Sequence, residues 1–207
     1  MIRTVLGGLV GGVIMFVMGF VFWATPLGEL PYQRASEPNN AALQIALAQA
    51  LTPTGTGAYM IPAHTNSAAG TVLYAQGPIA IVHYNISGFP TDGMGMMLPG
   101  LLFALISGLL MALGLSVTGA ASFADRARLV VCFALAVTSW TILAQPVFNH
   151  FGWGYWIYSF IAESAGLILA GLVIARWFVA APAVQVAAPA TAQAEAPPEN
   201  EREARSS

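Results

Sequence analysis

One carboxylate in the most apolar part of the chain is the first place to look for chemistry. Glu163 follows the aromatic cluster Trp153, Tyr155, Trp156 and Tyr158, and the run continues without another charge to Arg176-Trp177-Phe178. Roughly twenty apolar residues match a bilayer's hydrocarbon thickness of about 30 Å. An ionised carboxylate inside such a layer is costly, so Glu163 should face other helices or carry a proton. By helix rise it sits roughly 10 Å below the aromatic belt. At that depth the preceding apolar run offers Thr138 or Thr141, with Gln145 nearer the edge. Glu163, Thr138, Thr141 and Gln145 therefore form the candidate intramembrane polar site. Its functional use would be handling a proton, an ion or a ligand; the plainer use is a hydrogen bond joining two helices.

Other reactive side chains are scattered. His64, His83 and His150 have no ligand-like spacing, and a strand-like run holds His83. Met60, Met94, Met96, Met97 and Met111 could suggest a soft metal, yet methionine at the mouth of an apolar span is more simply a filler. Cys132 is the sole cysteine, which rules out an internal disulfide and every paired-cysteine metal or haem motif. No nucleophile triad, phosphate loop or paired-carboxylate motif occurs. The sequence thus predicts no catalytic residue, no metal, no cofactor and no enzyme.

Composition says what must position these residues. The 207 residues are 57% hydrophobic and 8% charged, with a mean hydropathy of +0.70. Soluble domains carry about 25% charge, so the lipid bilayer is the expected surrounding. The basic residues are all arginine, and a net charge of −2 without a basic run excludes nucleic acid as a partner.

The expected fold is a mainly α membrane protein: a four-transmembrane-helix bundle with a small α+β extracytoplasmic insertion between helices 1 and 2. The first span is residues 5–24, an uncleaved anchor too long for a signal peptide core. Its Gly7, Gly8, Gly11 and Gly12 make two overlapping GxxxG pairs, which in lipid let another backbone approach closely. The second span is residues 96–117, with Pro99 in its first turn. Gly100, Ala104, Gly108, Ala112 and Ser116 recur every four residues along one face. The third span is 129–148. The fourth is 155–178, where Ala162, Gly166 and Ala170 repeat the small-residue pattern.

Residues 25–95 form the long polar segment. Ser36-Glu37-Pro38 reads as a helix start, and Leu43, Leu47 and Leu51 recur at four-residue spacing, so one amphipathic helix is expected over 39–51. Strands are expected at 58–62, 79–86 and, as a third, 71–74, with a loop at 62–71. Residues 180–207, rich in Ala, Pro and Glu, should form a disordered cytoplasmic tail.

Arginine placement sets the expected orientation. Arg3, Arg126, Arg128 and Arg176 fall at one side and Arg34 at the other, which places both termini in the cytoplasm.

Several stretches together resemble a family of small four-span bacterial inner-membrane proteins to which no function is assigned. They are the glycine-rich first span with Pro26-Leu27-Gly28-Glu29, the run Gly57-Ala58-Tyr59-Met60-Ile61-Pro62, the turn Asn149-His150-Phe151-Gly152-Trp153, and Gly166 to Gly171. The chain departs from that pattern in its outer turn, which would be expected to hold more aromatics and a proline. The resemblance implies four spans with an outer domain between the first two, and an inner-membrane location, but no activity.

The leading functional expectation is a structural, assembly or accessory subunit acting through helix–helix and outer-domain contacts, with a membrane-protein partner or a second copy of itself. The alternatives are a small oligomeric transporter or channel using Glu163, and an extracytoplasmic ligand- or metal-binding module.

Overall fold

The computed structural model describes residues 1–63, 67–88, 94–120 and 122–179. His64 and the expected tail at 180–207 lie outside them. The chain is mainly helical. Four of its helical segments are long and apolar enough to cross a membrane: Ile2–Trp23, Gly95–Val117, Phe123–Asn149 and Trp153–Trp177. That is the pattern of a multi-pass membrane protein.

The first of these, α1 (Ile2–Trp23), is the hub of the bundle. It packs mainly against α4 (Met94–Val117) and α7 (Trp153–Trp177), whereas α5 (Phe123–Thr138) packs on α7. Glycine spacing is the cause. Successive residues on a helix are about 100° apart, so i and i+4 share a face. Gly7 and Gly11 make one row, and this row meets α7: a Cβ on Gly11 would stand 2.5 Å from the Ile174 side chain, and one on Gly7 would collide with Phe178. Gly8 and Gly12 make the adjacent row, which meets α4. A Cβ there would lie 2.6 Å from the Cα of Leu109 or of Leu105. On the α4 side, a Cβ on Gly108 would run into the Gly8 carbonyl oxygen and the Gly12 nitrogen. Ala112, Leu115, Val130, Ile174 and Ala175 close the core where α4, α5 and α7 meet. Not all the small residues pack so tightly. A Cβ on Gly100 would meet Phe16 at 3.7 Å and one on Gly166 would meet Met18 at 3.6 Å, ordinary contacts; the Ala104 carbonyl oxygen would lie 2.7 Å from a Cβ on Gly12, and Ala170 is fully buried beside Gly11.

Several expectations need correction. Pro99 lies inside α4 rather than in its first turn, because the helix already starts at Met94. The third long helix begins at Phe123, where the Ser122 hydroxyl accepts the Asp125 N–H at 3.1 Å. Asp125, Arg126 and Arg128 thus belong to its opening turns and not to a loop. Farther along, the helix widens into a π turn at Ser139–Leu143 before α6 (Ala144–Asn149). Pro146 accounts for this break: it cannot donate to the Ile142 carbonyl, and its ring crowds that group.

Between α1 and α4 stands a sparse lobe: α2 (Glu37–Leu51), β1 (Gly57–Ile61), α3 (Ala68–Gln76) and β2 (Ala80–Tyr84). The strands pair antiparallel, with Tyr59 opposite Val82. The expected third strand at 71–74 is instead helical. The Ser67 side chain caps it by accepting from the Gly70 N–H at 3.0 Å, and Gly77 ends it at φ +66°; these local hydrogen bonds outweigh the β preference of Thr71, Val72 and Tyr74. The start of α2 differs as well: Ser36 occupies the cap position but its side chain makes no capping bond. The Thr52–Tyr84 and Thr54–Tyr59 hydroxyl pairs, at 2.7 and 2.9 Å, tie the end of α2 to the sheet. Leu51 is the only buried residue among the lobe's described helices and strands. Leu43 and Ile45 remain 58% exposed, so the expected apolar face of α2 is buried at Leu51, half-buried at Leu47 and open at its N-terminal end.

Candidate functional site

The glycine contacts of α1 with α4 lie in the half of α1 nearest the N-terminus, at Gly8 and Gly12. Farther along, a groove of about 420 Å³ is lined by both helices. Phe16, Gly19 and Phe20 line it from α1, and Gly100, Phe103 and Ser107 from α4. Glu163, reaching across from α7, supplies its carboxylate. The residue is itself exposed, so the carboxylate stands at the wall of an open groove and not inside a sealed core. A smaller hollow of about 40 Å³ lies on its other side, bounded by Met15, Phe22, Ala162 and Gly166.

The neighbouring polar group is Trp23, whose side chain is placed to donate a hydrogen bond to Glu163. An indole N–H can only donate, so the pair has one sense. An aromatic collar fixes Trp23. Its ring centroid is 5.3 Å from Tyr158 and 6.0 Å from Tyr155, and the Tyr158 hydroxyl donates to the Phe22 carbonyl at 2.6 Å. Tyr32 joins the collar 5.5 Å from Tyr155. Desolvation, then its charge and hydrogen-bond interactions with Tyr155, raise the Tyr32 hydroxyl above its ordinary pKa and keep it neutral. These rings carry both apolar faces and polar tips, the type enriched at membrane–water interfaces.

The four expected polar residues are not brought together. Thr138 is buried on the opposite flank of α7, where its hydroxyl pairs with Ser164 at 2.8 Å and donates to the Ala134 carbonyl at 2.7 Å. Thr141 turns back to the Val137 carbonyl at 2.8 Å. Gln145 accepts from Asn149, the last residue of α6, at 3.2 Å. Sequence depth had placed these groups level with Glu163, but depth carries no information about rotation. Ser164, one residue on, takes the α5-facing direction and leaves Glu163 toward α1 and α4. Trp23 was the partner missed. It is read from sequence as an interfacial anchor, and its donor only becomes relevant once α1 and α7 are known to touch.

Among the described residues no cluster of three or more His, Cys, Asp or Glu could hold a metal ion. His83 lies in β2 and His150 ends α6 at φ +53°, while His64 falls outside the described residues. Chemically, the groove offers an apolar channel with one carboxylate and one indole donor at its floor. That suits a group bringing a hydrogen-bond donor or a positive charge into an otherwise oily surface. No protein-family model matches this chain, and neither does any curated protein or solved structure.

The split of the polar residues has a measurable consequence. A double-mutant cycle between Thr138→Val and Ser164→Ala, read by reversible unfolding in detergent, should give a coupling of about 0.6 kcal/mol, typical of interhelical hydrogen bonds in membranes. The cycle between Thr138→Val and Glu163→Gln should give none. Coupling to Glu163 instead would restore the four-residue site.

Proposed function

We propose that this chain is a bacterial inner-membrane protein, with both termini cytoplasmic, that serves as an assembly or accessory subunit and meets its partner through the extracytoplasmic lobe. One observation carries the reading. The lobe has almost no core of its own, and Leu43, Ile45, Val72 and Leu73 stay exposed on its two helices. Exposed apolar side chains on water-facing helices that bury almost nothing of their own mark a surface that another molecule covers. The glycine rows support a different role from the one their pattern first suggests: Gly7, Gly8, Gly11, Gly12 and Gly108 are consumed within the bundle, so partner contact falls to the lobe. The positive-inside distribution of arginine supports the orientation.

A photoreactive residue at position 43 of the full chain, activated in host membranes, should yield one discrete protein adduct. Ile45→Asp should reduce that adduct several-fold. Adducts to phospholipid alone, or none, would overturn the reading.

Glu163 favours a second reading, an oligomeric transporter or channel. The carboxylate opens sideways onto a groove and not into a passage through one chain, so a second copy would have to complete the path. In proteoliposomes this reading predicts flux that Glu163→Gln lowers at least about ten-fold, the scale of losing one charged ligand; flux indifferent to the substitution would remove it.

A further inference from the structure

A second groove lies at the other end of the bundle, away from Glu163. Only residues 118–122 join α4 to α5, yet the two helices pack chiefly on α1 and α7 and leave a cleft of about 380 Å³ between them. Gly114 and Leu115 wall it on one side and Phe133 and Val137 on the other, with Leu167 of α7 at its floor. The lining is almost wholly apolar. Thr118 stands at the mouth, where its hydroxyl donates to the Leu115 carbonyl at 3.0 Å.

The arginines at the same end of the bundle say what fits, although none of them lines the cleft itself. Arg126 precedes Leu129, Val130 and Phe133 at i+3, i+4 and i+7, so it heads the stripe of α5 that faces the cleft. It is only 6% exposed. Its guanidinium donates to the Val179 carbonyl at 2.5 Å and to the Ser122 carbonyl at 3.3 Å. Among the described residues it has no carboxylate partner. The nearby acid, Asp125, accepts from Ser122 and pairs with Arg128. Two more arginines gather at the same end of α7: Arg176, 5.9 Å above the Phe123 ring, and Arg3, which donates to the Trp177 carbonyl at 3.0 Å. Buried charges are stable when paired. Among the described residues the counter-groups of Arg126 are backbone carbonyls, Val179 just past the C-terminus of α7 and Ser122 at the start of α5.

We propose that one anionic phospholipid is held between α4 and α5, an acyl chain in the cleft and its phosphate among Arg126, Arg176 and Arg3. Basic pockets between membrane helices on the arginine-rich side recognise anionic headgroups in this way. The apolar walls take the chain, and the arginines select the charge.

Native mass spectrometry on the full-length protein, delipidated in mild detergent, tests this with phosphatidylglycerol and phosphatidylcholine of matched chains. One phosphatidylglycerol per chain should survive conditions that strip phosphatidylcholine. Arg176→Gln, at an exposed position, should weaken phosphatidylglycerol binding about five-fold, the scale of one arginine facing an anionic leaflet. Gly114→Phe should abolish retention, since a Cβ at Gly114 meets nothing within 4 Å and the ring would fill the cleft. If that variant does not fold, Gly114→Val with Arg176→Gln carries the same comparison. Equal retention of both lipids, retention untouched by filling the cleft, or a second copy of the chain cross-linked into it would each overturn the proposal.

Discussion

Close approach at four glycines of α1, backbone to backbone at Gly8 and Gly12 and onto side chains at Gly7 and Gly11, is the constraint from which the rest of the bundle follows. Inside a membrane, helices gain nothing from hiding apolar surface from lipid, so association depends on how closely their atoms can fit. Helix α1 carries two glycine rows on adjacent faces, and each row seats a different neighbour. Few other side chains could occupy these positions. Even the single carbon of alanine would overlap the Cα of Leu105 or Leu109, and close-packed interiors do not absorb such an overlap cheaply.

That anchoring at one end shapes both open surfaces. Helix α1 grips α4 near Gly8, Gly12 and Gly108, and the Glu163 groove lies between the two helices on the side of the aromatic collar. Because α4 is held by α1, it leaves α5 to pack on α7, and the apolar cleft separates the two. Arginines from α1 and α5 then close the exposed carbonyls of α7, Arg3 on Trp177 and Arg126 on Val179. A helix C-terminus favours cations, so these arginines stabilise the bundle's end.

Much of the architecture was legible in residue order. Four apolar runs of bilayer length gave four long helices, and the paired GxxxG spacing pointed to close contacts on α1. What the sequence withheld was rotation and context. Glu163 and Ser164 differ by one position, yet that places one at an open groove with Trp23 and the other against Thr138. Thr71 to Tyr74 has strand-like residue types, but a serine cap four residues earlier and a glycine stop make it a helix. The lobe was expected to form a small α+β domain. Its strands and helices exist, but Leu43, Ile45 and Leu73 stay exposed and only Leu51 is buried among its described helices and strands, because periodicity shows an apolar face without showing what covers it.

The central claim is best tested by adding one side chain on α1 inside the contact and one outside it. Gly12 lies against α4, whereas a Cβ at Gly19 on the same helix meets nothing within 4 Å. Reversible unfolding in detergent should show Gly12→Leu destabilised by about 3 kcal/mol or more, the range for overpacking, with Gly19→Leu close to the parent. Equal stability of the two variants, or greater damage at Gly19, would contradict the account.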